Sequence, residues 1–219
     1  MGTHKLLIAL FLLAMASSVL AYDPSPLQDF CVADPNSPVF VNGFACKNPR
    51  LVNNRDFIFQ GNFNVPGNTA NALGSAVTQA TVNQFPALNT LGVSIFRVDI
   101  APGGVNAPNV HPRASEIFAV IQGTVLVGFV TSNPENRLFT NVLYPGDVTI
   151  FPKGLVHFQI NIGHVPAVVF NAFGSQNPGV VIISNNLFNS TPPIPDIVLQ
   201  RSFAVAYDAI EKLRAQFAA

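Results

Sequence analysis

The feature that most constrains the fold lies between residues 91 and 184, where short apolar runs alternate with turns that contain glycine and proline. In residues 94–100, three apolar side chains alternate with Arg97 and Asp99, which is the pattern of a half-buried β-strand. Short strands at this spacing are typical of antiparallel barrels. We therefore predict an all-β, single-domain fold, either a barrel or a jelly roll, over about residues 57–185. Its further strands are predicted at 116–122, 125–130, 148–151, 156–161, 165–173 and 180–184.

The segments before residue 91 give weaker signals. Residues 22–50 are rich in proline and have little periodicity, which predicts an extended arm. Residues 53–71 are predicted to be irregular, with one strand-like piece at 57–59. Residues 72–81 are small and polar, and they fit either a loop or a short helix.

The N-terminus has the pattern of a secretory signal peptide. Lys5 precedes an apolar run over residues 6–15, and small residues follow as far as Ala21. A membrane anchor is the alternative, but the run is shorter than the roughly 20 residues that a spanning helix needs. We therefore predict a signal peptide over residues 1–21 and a mature domain of residues 22–219.

Charge and cysteine content narrow the classes of function. The chain has 11 basic residues (Lys and Arg) and 11 acidic residues (Asp and Glu), so no excess of positive charge indicates nucleic-acid binding. Cys31 and Cys46, the two cysteines of the chain, both fall in the predicted mature part. In an oxidising compartment they should form a disulfide. The alternatives, a thiol nucleophile or metal ligands, are disfavoured because no histidine is near either cysteine in sequence.

After the barrel the sequence changes to a helical periodicity. Asp196 follows a proline-rich segment and fits the N-cap of a helix. This predicts a helical C-terminus over about residues 196–218, with an apolar stripe formed by Phe203, Tyr207, Ile210, Leu213 and Phe217. The stripe could pack on a neighbouring subunit or on the chain's own barrel. Asn189 begins an Asn-Ser-Thr sequon and is a candidate glycosylation site.

Two histidines and one glutamate lie near strand ends inside two similar glycine-framed segments. His111 and Glu116 belong to the first segment, and His157 belongs to the second. A carboxylate at the start of an apolar strand is costly unless it is paired, and a cation at the barrel centre would satisfy all three groups. Taken singly, a strand histidine is more often structural, and Glu116 could pair with Arg113. His164 lies in a turn and is predicted to be a surface residue without a role.

The two segments resemble the motifs of a known superfamily. Residues 103–123 carry the pattern G-x5-N-x-H-x4-E-x6-G, which resembles the first cupin motif, and residues 146–161 carry G-x5-P-x-G-x2-H-x3-N, which resembles the second. Segments 23–31, 85–92 and 175–179 are similar to the germin-like proteins of plants. This resemblance implies a one-domain cupin with a jelly-roll β-barrel, secreted to the apoplast. It also implies a manganese site and assembly as a homo-oligomer, a hexamer, through the C-terminal helices.

The resemblance assigns manganese to the two histidines and the glutamate, but the chain departs from the family pattern at two positions. Asn109 stands where the motif has its first histidine, and an amide oxygen is a weaker donor than imidazole for manganese. Oxalate-oxidising relatives carry an asparagine where this chain has Phe96, although Asn106 matches another polar residue near their site. The Phe96 position argues against oxalate oxidase activity.

Two hypotheses of function follow from the resemblance. The first is a secreted manganese glycoprotein with superoxide dismutase activity and a role in plant defence. The second is a non-catalytic cell-wall or storage-like protein with a degenerate metal site, which Asn109 favours. Hydrolysis of nucleotide sugars, suggested for some relatives, has no supporting motif in the sequence.

Overall fold

The computed structural model describes residues 28–39 and 43–217 of the chain. In this part ten strands form two antiparallel five-stranded sheets, which confirms the predicted jelly-roll barrel. In spatial order the first sheet contains Ser75–Ala80 (β1), Ser94–Ile100 (β2), Ala167–Phe173 (β9), Glu116–Gln122 (β4) and Val148–Phe151 (β7). In spatial order the second sheet contains Val181–Ile182 (β10), Val105–Val110 (β3), His157–Asn161 (β8), Val125–Val130 (β5) and Leu138–Leu143 (β6).

The hydrophobic core is built from the inward faces of both sheets. Alternate residues of β2, β4 and β9 point inward, so Val98, Phe118 and Val169 are almost completely buried. From the second sheet, β5 contributes Val125 and Val127 to the same cluster. Burial of a side chain such as Phe118 contributes about 1.5–3 kcal/mol. Because a slip of one residue would turn these side chains outward, the core also fixes the register of the strands that carry the site.

On the outer face of β2, Ile95 is exposed but Arg97 and Asp99 are buried, so the half-buried strand predicted for residues 94–100 is only partly correct. Arg97 and Asp99 form a buried salt bridge, with 2.6 Å between Arg97 Nη2 and Asp99 Oδ1. A segment before β1 covers this pair, because Arg97 donates to the carbonyl of Phe63 and the N–H of Gly67 donates to Asp99. These contacts span 34 and 32 positions, so the periodicity of β2 alone could not reveal them.

The first strand corrects the prediction of a loop or short helix for residues 72–81. β1 pairs with β2 along its full length, beginning with Ser75 opposite Ile100. Its small and polar residues give no strong period-two signal. The strand forms because β2 offers a paired edge, and such tertiary context overrides local propensity.

The strand-like piece predicted at 57–59 is wrong. The chain there leaves a 3₁₀-helix, Asn54–Phe57, that begins at a capping box formed by Asn53 and Asp56. This local hydrogen bonding holds the backbone in a helical turn, so the apolar residues at this point do not form a strand. Two further 3₁₀-helices of the described residues are Pro49–Leu51 and Pro86–Leu88.

Two strands, β3 and β6, carry little strand signal in the sequence. The pairing of β3 with β8 shifts register between Asn106 and Asn109, on either side of Pro108. Proline is tolerated at such irregularities, so this segment forms a strand that brings Asn109 into the barrel. The edge strand β6 is largely exposed, which removes the alternation that marks a half-buried strand.

Three α-helices follow the barrel within the described residues: Ile183–Phe188 (α1), Asp196–Phe203 (α2) and Tyr207–Phe217 (α3). The first of them shortens β10 to two residues, so the strand predicted at 180–184 ends early. The helical C-terminus predicted for 196–218 is confirmed over its described residues, as two helices separated by residues 204–206, where Ala204 has φ at 53°.

The N-cap of α2 is Pro195, so the prediction of Asp196 as N-cap is wrong by one residue. Asp196 instead forms a salt bridge with Arg214 of α3. Leu199 and Ile210 are the buried residues of α2 and α3, and most of the remaining apolar side chains of these helices stay exposed or half-buried.

Cys31 and Cys46 form the predicted disulfide. The predicted signal peptide, residues 1–21, and the first mature residue, Tyr22, lie outside the described residues and stay predictions. Across 28–39 and 43–217, no helix combines the length and the apolar character that crossing a bilayer requires.

Candidate metal centre

Three strands of the barrel bring the predicted site residues together. His111 directly follows β3, Glu116 begins β4 and His157 begins β8. The first and last of these strands are paired, with Asn109 opposite His157. Because Asn109 and His111 are two positions apart, they point to the same side of the chain, toward the barrel interior. His111, Glu116 and His157 are buried, with 7%, 2% and 2% of their surfaces exposed.

The three side chains meet around one carboxylate oxygen. His111 Nε2 lies 3.0 Å from Glu116 Oε2, and His157 Nε2 lies 3.3 Å from the same oxygen. One potential ligand atom from each residue lies within 4.8 Å of the other two. The spatial arrangement predicted from the sequence is therefore present, and its geometry is that of a small-ion site.

On each imidazole, the nitrogen that faces away from Glu116, Nδ1, makes a hydrogen bond that determines where a ring proton lies. His111 Nδ1 is 2.6 Å from the carbonyl of Gly179, and His157 Nδ1 is 2.9 Å from the carbonyl of Leu155. A carbonyl can only accept, so each Nδ1 carries a hydrogen. A metal ion would take the lone pair of each neutral Nε2, whereas without an ion Nε2 can carry a proton and donate to Glu116 Oε2. This arrangement, with Nδ1–H held by a backbone carbonyl, is common for histidines that bind metals.

The electrostatics of Glu116 favour the charged form. Burial raises the pKa of this carboxyl, but the hydrogen bonds and charges of His111 and His157 lower it more, so the net pKa lies below its ordinary value. Glu116 Oε2 and His157 Nε2 nevertheless lack a hydrogen bond of good geometry. Buried polar atoms without partners are costly, and a cation among these atoms would remove that cost. The donor set therefore fits a divalent metal.

Backbone contacts join the two glycine-framed segments around the site. The N–H of Gly154 donates to the carbonyl of His111 at 3.2 Å, and the N–H of Lys153 donates to Ser115 Oγ at 3.0 Å. The turn after β7 is thus attached to the chain that carries His111. These contacts position the first histidine relative to the strand that carries the second.

Arg113, the alternative partner predicted for Glu116, does not pair with it. Arg113 bonds to the carbonyl and the side-chain oxygen of Asn177, at 2.6 and 3.0 Å, rather than to Glu116. His164 is exposed, as predicted. Asn189 is exposed at the C-cap of α1, and its glycosylation stays a prediction.

Asn109 is 2% exposed, and its amide nitrogen donates to backbone carbonyls within the barrel wall. Asn109 Nδ2 donates to the carbonyl of Ala107 at 3.0 Å and approaches the carbonyl of His157 at 3.4 Å. The contact with Ala107 repeats the pattern of His157, whose Nδ1 also bonds the carbonyl two positions earlier. The amide nitrogen of Asn109 thus takes the place that Nδ1 of a histidine would occupy.

A cavity of about 120 Å³ adjoins His111 and Asn109 between the two sheets. Its other lining residues are Val77, Gln79, Phe96, Val98, Asn106, Asn171, Val180 and Ile182. The lining therefore combines amides with apolar side chains and contains no lysine, arginine or carboxylate. Phe96 packs against Phe173, with 4.5 Å between ring centroids, and both belong to a buried apolar cluster.

Two amides that line this cavity, Gln79 and Asn171, were not predicted from the sequence. Asn171 Oδ1 is buried without a hydrogen-bond partner, and so is Gln159 Nε2, whose Oε1 accepts from Asn106 Nδ2 at 2.6 Å. A lone asparagine within the otherwise apolar strand β9 was the available signal for Asn171. Gln79 gave no such signal, because its strand was not predicted.

Comparison with known proteins places this architecture in a family. The profile of the Cupin family matches residues 61–211. Germin-like protein 4-1 of Oryza sativa subsp. japonica is 58% identical over 214 residues, which cover 94% of this chain and 84% of the relative. Germin-like protein subfamily 1 member 7 of Arabidopsis thaliana is 53% identical over 220 residues, which cover 99% of this chain and 96% of the relative.

Solved structures agree with this relationship. An oxalate oxidase in complex with the substrate analogue glycolate matches with a TM-score of 0.86 and 44% identity, covering 90% of this chain and 98% of that one. The profile match spans more than half of the chain, and the similarity to relatives extends over nearly all of it. The chain therefore belongs to the germin-like proteins of the cupin family.

Proposed function

We propose that this germin-like protein is a secreted manganese protein that dismutates superoxide. The observation that carries the proposal is the convergence of His111 Nε2, His157 Nε2 and Glu116 Oε2 in a buried site. Imidazole and carboxylate ligands are compatible with manganese, and a set of two histidines and one carboxylate also suits Fe(II). The family relationship favours manganese between these two metals.

A bound manganese ion would supply reversible one-electron redox chemistry at this site. In dismutation, two superoxide ions and two protons give one molecule of hydrogen peroxide and one of dioxygen. The chain's own contribution is to hold the two imidazoles by their Nδ1–H groups and to exclude bulk water from the ligands. The adjoining cavity of about 120 Å³ has room for a small oxygen species.

The same cavity argues against oxalate as a substrate. Phe96 occupies part of its wall, and no lysine or arginine among its lining residues could pair with a second carboxylate. A site that loses a hydrogen-bonding partner for its substrate loses discrimination and rate. We therefore propose that oxalate oxidation, which is the activity of the solved relative, is absent here.

Asn109 supports a second candidate function, a non-catalytic cell-wall or storage-like protein with a degenerate metal site. Its Nδ2 bonds backbone carbonyls, and the amide oxygen that remains is a weaker donor for manganese than the imidazole of the family motif. A weaker site would hold manganese only partly. The two candidates differ in metal occupancy and in activity, and both are measurable.

Secretion to the apoplast and a role in defence belong to the same proposal. The signal-peptide pattern of residues 1–21 and the Cys31–Cys46 disulfide support an extracellular location, because disulfides persist in oxidising compartments. Hydrogen peroxide released in the cell wall would suit a defence function. Asn189 is exposed on the surface and would accept a glycan.

The chain also has two apolar surfaces that would suit assembly as a homo-oligomer, a hexamer in the proposal. The C-terminal helices expose Ile197, Phe203 and Tyr207, each with about half of its surface accessible, at 53%, 47% and 53%. The outer face of the first sheet exposes Ile117 and Ile150, at 50% and 60%. Contiguous exposed apolar surface is typical of protein–protein contacts.

The decisive experiment measures superoxide consumption by the purified protein after loading with Mn(II). We expect activity in the wild type and in His164→Ala, which changes an exposed histidine outside the site. His157→Ala should lose it, because a metal ligand is removed. Equal activity in His157→Ala would refute the proposed site, and a wild type that holds manganese without activity would favour the non-catalytic candidate.

A further inference from the structure

The carbonyl that orients His111 comes from a loop outside the barrel motifs. Gly179 belongs to the segment of residues 175–179, which connects β9 to β10. Its carbonyl oxygen lies 2.6 Å from His111 Nδ1 and is the group that places the proton on this nitrogen. Any movement of this loop would therefore be transmitted to the imidazole that faces Glu116.

Arg113 contacts three consecutive residues of this loop, Asn177 and Gly179 through its side chain and Pro178 through its backbone N–H. The backbone N–H of Arg113 donates to the carbonyl of Pro178 at 3.1 Å, and Arg113 Nε donates to the carbonyl of Asn177 at 2.6 Å. Arg113 Nη2 donates to Asn177 Oδ1 at 3.0 Å. The planar guanidinium can make such paired contacts in a fixed direction, which a lysine ammonium cannot.

Gly179 packs directly against the same guanidinium. A Cβ atom at this position would lie 2.7 Å from Arg113 Nη2 and 2.9 Å from Arg113 Cζ. The backbone of Gly179 also has φ at +67°, a conformation that favours glycine. Glycine thus allows the loop to lie against Arg113 while its carbonyl reaches His111.

The opposite side of the loop is attached to the disulfide-bonded part of the chain. The N–H of Val82 donates to the carbonyl of Gln176 at 2.9 Å, and Gln176 Nε2 donates to Asn89 Oδ1 at 3.3 Å. Asn89 is 1% exposed, and its Nδ2 lies 3.2 Å from Cys31 Sγ. The loop is therefore held from two sides, by Gln176 and by Arg113.

From these contacts we propose that Arg113 is a positioning residue for the metal ligand His111. It holds residues 177–179 so that the carbonyl of Gly179 keeps the proton on His111 Nδ1 and leaves Nε2 free for the metal. The inference depends on the proposed metal site, but it adds a residue that does not contact the metal ligands through its side chain. Arg113 is exposed, so its contribution to folding should be small.

The test compares Arg113→Ala and Arg113→Lys with the wild type in the full chain. Both variants should bind Mn(II) about 10-fold more weakly, which is the low end for losing a partner that orients a ligand. Thermal melting of the metal-free protein should shift by no more than about 4 °C. With saturating Co(II) as a probe, the visible absorption bands of the variants should move, because the ligand geometry changes.

Arg137→Ala is the matched control, since Arg137 is an exposed arginine that directly precedes β6 and stacks on Phe139 at 4.4 Å. It should bind Mn(II) and Co(II) like the wild type. Wild-type affinity in Arg113→Lys would overturn the inference, because charge rather than directed hydrogen bonding would then suffice. A wild type that fails to bind Mn(II) would overturn the proposed function and the inference together, whereas equal binding by wild type and both variants would overturn the inference alone.

Discussion

Replacing Asn109 by histidine should convert the three-residue site into a four-residue site. Asn109 Nδ2 donates to the carbonyl of Ala107, and His157 Nδ1 makes the equivalent bond to Leu155, two positions earlier in its own strand. A histidine at position 109 can make the same bond through Nδ1–H. Its Nε2 would then point to the side of the barrel where His111 and His157 already present theirs.

The expected gain in Mn(II) affinity can be worked out from the number of ligands and from the space at the site. The larger ring can be accommodated because Asn109 lines the cavity of about 120 Å³, so overpacking should be small. Four ligands of a structural zinc site supply ~10–16 kcal/mol together, or ~3 kcal/mol each. Manganese is bound more weakly than zinc. We therefore expect Asn109→His to raise Mn(II) affinity by about 10- to 100-fold, or ~1.4–2.8 kcal/mol.

Equilibrium dialysis against Mn(II), with metal quantified by mass spectrometry, measures this change. Asn141→His is the control, because it introduces the same side chain on the exposed edge strand β6. Its affinity should equal that of the wild type. An unchanged or lower affinity in Asn109→His, in a protein that melts like the wild type, would refute the reasoning that position 109 faces the metal.

Four further changes test separate parts of the structure. Glu116→Gln should weaken Mn(II) binding by at least about 100-fold, because it removes the anionic ligand, and unchanged binding in dialysis would contradict this. Replacing Cys31 and Cys46 by serine should lower the free energy of unfolding in urea by about 3 kcal/mol, since the bond joins residues 15 positions apart. Arg97→Ala should cost about 3–5 kcal/mol in the same assay, because Asp99 stays buried without its partner. Truncation after residue 195 should reduce the oligomer size in sedimentation, and an unchanged size would show that the C-terminal helices do not hold the assembly.

Prediction from the sequence worked best where possible metal ligands lie near the ends of strands with a clear side-chain periodicity. His111, Glu116 and His157 were predicted to meet because each lies near the end of a strand inside a glycine-framed segment, and they do meet. The strands with strict alternation, such as β2 and β4, were found within a residue or two. In both cases the information is local, since turn residues and side-chain period fix where a strand ends and which face is buried.

The features that were missed depend on partners distant in sequence. Residues 75–80 form a strand only because β2 pairs with them, and Arg97 is buried only because the chain near Phe63 covers it. The loop carbonyl of Gly179 that orients His111 is 68 positions away from it. Backbone groups of this kind have no signature in the side-chain pattern, so a sequence identifies the ligands but not the groups that position them.

The central claim is that two imidazoles and one carboxylate hold a single metal ion inside the barrel. Anomalous diffraction near the manganese absorption edge, from crystals grown with Mn(II), tests it most directly. We expect one peak in each chain, within coordination distance of His111 Nε2, Glu116 Oε2 and His157 Nε2. The absence of a peak there, or a peak bound by other residues, would contradict it.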